Sequence, residues 1–161
     1  MSDSAYQVNK QTLQVEICEV GGMVTRGEIF LAGYSAPEAR GERLLDVLPN
    51  RRFVPVRAEH GVVFISNRHI LWARVDLLDA VGELDPETEG AEDTATAQVN
   101  VHLENGETLQ GGMRYLRPAG ARRLVDYLAT LEEFFPLRTE DWVYLVNRER
   151  VCSVVALSEA H

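Results

Sequence analysis

The chain has 161 residues, 45% of them hydrophobic and 25% charged, with a formal net charge of −9. Such a make-up belongs to an ordinary folded domain or to two small ones. No apolar run reaches the roughly 18 residues that a membrane-spanning helix needs. The first ten residues lack the basic start and apolar segment of a secretory signal. The expectation is a cytoplasmic protein without a membrane role, opening with a flexible polar arm over residues 1–12.

The negative charge is unevenly spread. Residues 1–80 carry 9 basic and 10 acidic groups, residues 81–96 carry none and 6, and residues 97–161 carry 7 and 9. Two nearly neutral segments thus flank a short acidic one. Neither has the basic excess that phosphate-backbone binding requires, which argues against a nucleic-acid partner. Residues 79–96 are acidic, contain Pro86 and hold few large apolar groups, so a flexible linker is expected there.

In chain order, Leu13, Val15 and Ile17 alternate with Gln14, Glu16 and Cys18, the period of a half-buried strand. Gly21-Gly22 supplies a turn, and a return strand spans residues 24–31 with Gly27 as a bend. Residues 42–48 read as a short helix stopped by Pro49. Strands follow at 52–57, 62–66 and 69–75, with Glu59-His60-Gly61 and Asn67-Arg68 as turns. Beyond the linker the same order returns. Val99, Val101 and Leu103 alternate with polar residues, Asn105-Gly106 is a strong hairpin signal, and Gly111 stands where Gly27 stood. A longer helix is expected over 121–133, with Leu124, Val125, Leu128 and Leu131 on one face. Strands at 134–138, 142–146 and 150–157 close the chain.

The two segments are therefore one unit written twice, at 13–78 and 97–158. Phe53, Pro55 and Arg57 recur as Phe134, Pro136 and Arg138, and Asn67-Arg68 recurs as Asn147-Arg148. The offset is 84 at the bend glycines, 80 at the helix leucines, 81 at the prolines and 80 at Asn-Arg, and its shifts fall in loops, where insertions are tolerated.

Around the second hairpin, Val99, Val101, Leu103, Asn105, Gly106, Leu109, Gly111 and Met113 resemble the first motif of Sm-like proteins. The first copy keeps Gly22, Gly27 and Ile29. The pairs Ile65-Ser66-Asn67-Arg68 and Leu145-Val146-Asn147-Arg148 resemble the basic turn of that family's second motif. The resemblance implies a mainly β chain of two small five-stranded Sm-like or SH3-like barrels in tandem, each with one helix between its second and third strands. Two departures weigh against the family's RNA binding. Tyr34-Ser35-Ala36-Pro37 and Tyr115-Leu116-Arg117-Pro118 replace the polar loop with its aspartate and asparagine, and the helix is displaced.

No chemical constellation stands out. His60, His69, His102 and His161 lack metal-ligand spacing, and no metal or other cofactor is expected. Cys18 and Cys152 lie in strands and read as free thiols of a reducing compartment. The glycine pairs lead into strands rather than helix N-termini, so they do not read as phosphate loops. These features point away from an enzyme. The recurring polar residues are the pointed feature: Arg57, Asn67, Arg68, Arg138, Asn147 and Arg148, joined by Trp142 at a turn-to-strand position. Each has a structural reading, as turn former, strand-edge charge or core aromatic, and a contact reading, since arginine is favoured at interfaces. The functional expectation is a non-enzymatic protein-interaction module, an adaptor or regulatory subunit of a bacterial assembly with protein partners or a homo-oligomeric form. Single-stranded RNA binding through the Sm-like turns is the alternative.

Overall fold

A computed structural model describes residues 9–33, 42–80, 94–116 and 123–160. The first half runs β1 (Asn9–Glu19), β2 (Val24–Gly33), α1 (Leu44–Asn50), β3 (Phe53–Ala58), β4 (Gly61–Ser66) and β5 (Ile70–Asp76). The second runs β6 (Thr94–Leu103), β7 (Thr108–Leu116), α2 (Leu124–Leu128), β8 (Phe134–Arg138), β9 (Trp142–Asn147) and β10 (Val151–Ala160). The described residues are mainly β, with one helix among them between the second and third strands of each half. Among the described residues no helix is long and apolar enough to cross a membrane.

The ten strands among the described residues belong to one antiparallel sheet, ordered β10-β6-β7-β8-β9-β5-β1-β2-β3-β4. This differs from two separate closed barrels. Among the described residues no pairing joins β4 to β5 or β9 to β10. The cause lies in the turns. Residues 67–69 and 148–150 form 3-10 turns rather than two-residue hairpin loops. They redirect the chain so that β5 pairs with β1 and β10 with β6.

Each half has the same internal register. Val15 faces Gly27 as Val99 faces Gly111, and Glu28 faces Arg57 as Gly112 faces Arg138. Glu16 faces Arg74 as Asn100 faces Val155, and Phe53 faces Ser66 as Phe134 faces Asn147. The offset is thus 84 in the first two strands and 81 from the third strand onward. This corrects the Asn-Arg match. Ser66, not Asn67, corresponds to Asn147, and the identical dipeptides lie one residue out of structural register.

The bend glycines sit where two backbones nearly touch. A Cβ on Gly27 would lie 2.2 Å from the Arg57 carbonyl oxygen, and one on Gly111 would lie 2.6 Å from that of Arg138. Only glycine admits this approach, which brings the third strand against the second after the bend.

The helices share a start as well. The backbone N–H of Arg43 donates to Asp46 Oδ2 at 2.9 Å, and that of Arg123 donates to Asp126 Oδ2 at 2.9 Å. An acidic residue three positions into a helix thus ties down the preceding N–H in both copies, the reciprocal half of a capping box. Other expectations need adjustment. Pro49 stands inside α1, which ends at Asn50. α2 is far shorter than 121–133, and Val125 faces solvent because the chain turns after Leu128. Strand β1 takes in residues 9–12 of the expected arm, and β6 takes in 94–96 of the expected linker. The rest of the arm, and residues 81–93, lie outside the described residues.

Two cores lie along this one sheet. The first gathers Leu13, Val15, Ile17, Ile29, Val54, Val56, Ile65 and the α1 leucines, and also takes Phe134, Val143 and Leu145 from the second half. The second gathers Val99, Val101, Leu109, Met113, Phe135 and Leu137, and takes Cys18, Leu71 and Trp72 from the first. The strands that join the halves, β5 and β9, send alternate side chains to opposite cores. Ala73, Val75, Val143 and Leu145 enter one, while Trp72, Tyr144 and Val146 enter the other. A strand buried on both faces reads as a continuous apolar run, which is how W-V-Y-L-V appears in the sequence.

Candidate protein-contact surface

The polar residues singled out by repetition do not converge. Asn67 is buried and its side-chain amide donates to the Leu48 carbonyl at 3.0 Å, holding the end of α1. Asn147 is buried too. It donates to the Ile70 carbonyl at 2.9 Å and accepts from the Glu149 N–H at 3.1 Å, so it caps one turn and ties the halves together. Both asparagines serve the fold from within. Arg148 is exposed, donating to the Leu131 carbonyl at 2.6 Å and pairing with Glu149 at 3.0 Å. Arg68 is exposed, and its backbone carbonyl accepts from the Arg150 guanidinium. Trp142 is half-buried in the joint and is not an exposed anchor. Arg138 is exposed beside an open groove that it shares with Arg114, Glu140 and Asp141, a surface of mixed charge.

Around Trp142 the joint has a polar keystone. The Arg74 guanidinium lies 4.0 Å from the Trp142 ring centroid, donates through Nε to Glu16 at 2.6 Å and donates to the Tyr144 hydroxyl at 3.0 Å. Burial opposes its charge, and the Tyr144 and Glu16 contacts outweigh that effect, raising its pKa further. Arg26 pairs with the same glutamate at 2.9 Å. On the neighbouring side, Trp72 donates its indole N–H to Glu107 at 2.7 Å. These contacts fix how β5 meets β9. The neighbouring thiol of Cys18 is pushed up in pKa by burial, then by the charges of Glu107 and Glu19.

Arg57 alone stands within a surface of distinct character. Its guanidinium lies 4.8 Å from the Phe30 ring centroid, and it pairs across the sheet with Val62. By strand alternation Phe30, Phe53, Pro55, Val62 and Phe64 share the face turned away from the first core. Phe53 is 55% exposed, Val62 53% and Phe64 65%. Among the described residues the strand that carries the last two is the outermost of the sheet, so the N–H and C=O groups of its outer side run beside the apolar side chains. Contiguous exposed apolar groups along an open strand edge form a template for binding another chain. Repetition could not reveal this surface, because Phe134, Val143 and Leu145, the counterparts of Phe53, Val62 and Phe64, are buried. The legible signal was the unbroken run Val62-Val63-Phe64-Ile65, which has no polar residue to face water.

Among the described residues no three of His, Cys, Asp and Glu stand close enough to hold a metal ion. Compared with known proteins, the chain matches no family model, no curated protein and no solved structure.

Proposed function

We propose that this chain is a non-enzymatic protein-interaction module, an adaptor or regulatory subunit of a bacterial cytoplasmic assembly, and that it binds through the β4 edge. One observation carries this reading. Phe53, Val62 and Phe64 are more than half exposed, and among the described residues the last two lie on the outermost strand of the sheet, whose other face closes the first core. Main-chain groups along such an edge supply affinity, and the apolar side chains between them supply selectivity. Phe64 and Phe53 are the anchors, and Arg57 over Phe30 offers a cationic rim to a partner strand.

The architecture behind this surface is best read as two Sm-like or SH3-like five-stranded units. The strand orders β5-β1-β2-β3-β4 and β10-β6-β7-β8-β9 are the same, and each half wraps most of one core. The units share one sheet because the fourth strand of the second extends the first. The deciding experiment is affinity purification from the native host at near-physiological salt, with wild type and Phe64→Glu in parallel. A stoichiometric protein captured by wild type and lost with Phe64→Glu is the expected result. RNA retained by both and released on raising the salt would overturn it.

A further inference from the structure

The two halves treat one cross-strand pair differently. In the first half Gln14 faces Glu28 across β1 and β2, and its side-chain amide donates to Glu28 Oε1 at 2.9 Å. Arg57 faces the same glutamate from β3. By the offsets of 84 and 81, the corresponding residues of the second half are Gln98, Gly112 and Arg138, in the same register. The amide and the arginine are kept, and a glycine stands where the carboxylate would be.

The surroundings differ to match. A Cβ on Gly112 would stand 3.2 Å from Gln98 Nε2, so the amide lies over bare backbone. Arg114 stands where Phe30 does, a second guanidinium in place of the ring that Arg57 covers. Both Arg114 and Arg138 are exposed, and among the described residues neither pairs with a carboxylate. Together with Gln98 and Gly112 they line an open groove of about 750 Å³.

The groove has a second pole. The turn after β8 reads Thr139-Glu140-Asp141, where the first half has Ala58-Glu59-His60, and it lines the same groove. β7 and β8 are antiparallel and meet at Gly112 and Arg138. The turn therefore continues on the side of Gln110, while Arg114 lies to the other side of Gly112. Guanidinium groups and an amide donor stand at one end, and carboxylates at the other.

We propose that this groove binds an extended segment of a protein partner in which a glutamate and a lysine stand two residues apart. The glutamate carboxylate takes the place that Glu28 fills in the first half, received by Gln98 and Arg138, with Arg114 beside it. The lysine reaches Glu140 and Asp141. In an extended chain, side chains two residues apart share a face and lie about 6–7 Å apart, which is the spacing from Gly112 to Gln110 along β7. Glu140 and Asp141 repel a polyanion, so a segment carrying both charges fits the groove better than a nucleic acid does. The site is far from β4 in the strand order and does not depend on the reading of that edge.

Amide NMR titration of the full chain tests this with capped Lys-Ala-Glu-Ala-Lys, which offers the pair in either chain direction. The control is the same peptide with glutamine in place of glutamate. The control is the more positive of the two and the protein carries a net charge of −9, so bulk attraction favours the control. Saturable shifts in the millimolar range are expected at Gly112, Arg138 and the Gln98 side-chain amide. The control, Gly112→Glu and Arg138→Gln should each bind about tenfold more weakly. Gly112→Glu supplies the missing carboxylate from within and presses only on the ends of Gln98 and Thr96, so its melting temperature should stay close to that of wild type. If that variant loses its dispersed spectrum, exposed Arg138→Gln carries the test. Phe64→Glu should bind as wild type does. Equal binding of the two peptides, no saturable shifts, binding undiminished in Arg138→Gln, or loss of binding in Phe64→Glu would each overturn the proposal.

Discussion

Replacing Gly27 with alanine sets two effects of opposite sign against each other. An alanine in place of glycine restricts the unfolded chain and would stabilise by about 0.4–1 kcal/mol where the native backbone accepts it. At Gly27 the added Cβ would stand 2.2 Å from the Arg57 carbonyl oxygen, 2.8 Å from its carbon and 2.8 Å from Val56 Cγ1. Ordinary contact needs about 1 Å more than the shortest of these, and both backbone groups belong to β3. That strand is tied to β2 by the single residue pair Glu28–Arg57. Overpacking against a well-packed core costs about 1–3 kcal/mol, so the clash outweighs the entropy gain. The expected loss is about 2 kcal/mol, or some 4–8 °C in melting temperature at this chain length. Gly111→Ala meets the Arg138 oxygen at 2.6 Å and should lose less. At Gly112 the nearest atoms are side-chain ends, Gln98 Nε2 at 3.2 Å and Thr96 Cγ2 at 3.3 Å, and Gly21 has nothing within 4 Å. Thermal and urea unfolding should therefore rank the four as Gly27, Gly111, Gly112, Gly21. Gly27→Ala indistinguishable from Gly21→Ala would refute the close approach of β2 and β3.

Asn147→Ala removes one bond to the Ile70 carbonyl and one cap on Glu149, so urea unfolding should show a loss of about 2–3 kcal/mol. Asn67→Ala breaks only the bond to Leu48 and should lose about 1–2 kcal/mol in the same assay. Arg74→Met leaves Glu16 with Arg26 and the Tyr144 hydroxyl without its donor; because the site is partly solvated, about 1–2 kcal/mol is expected, with positive coupling to Glu16→Gln in a double-mutant cycle. For Cys18 the folded thiol ionises above its ordinary value of 9.0, so the unfolded chain releases its proton first and stability falls as pH rises past about 9. Cys18→Ala should flatten that alkaline decline. In native protein a thiol reagent should modify exposed Cys152 quickly and buried Cys18 only on unfolding.

The duplicated order of strands and helices was legible because half-buried strands announce themselves by alternation, and Gly27 and Gly111 mark the same bend in each copy. The joining of both halves in one sheet was not legible. It follows from where the 3-10 turns send β5 and β10, and a turn's direction is not written in hydrophobic pattern. The repeated Asn-Arg dipeptide misled for a physical reason. In the first half the asparagine lies within the 3-10 turn and holds α1, whereas in the second it precedes the turn and holds the other half. Identical residues one position apart came to do similar work. The contact surface was hidden by the same logic, because the apolar run of β4 looks like the doubly buried run of β9 until the sheet shows that, among the described residues, β4 has only β3 beside it.

Disulfide trapping within the chain tests the joining of the two halves in one sheet most directly. Asp76→Cys and Trp142→Cys, which face each other across β5 and β9, are introduced together with Cys18→Ala and Cys152→Ser, and the protein is oxidised mildly at low concentration. A link within one chain is expected from β5 lying beside β9. Two free thiols under the same oxidation would contradict it.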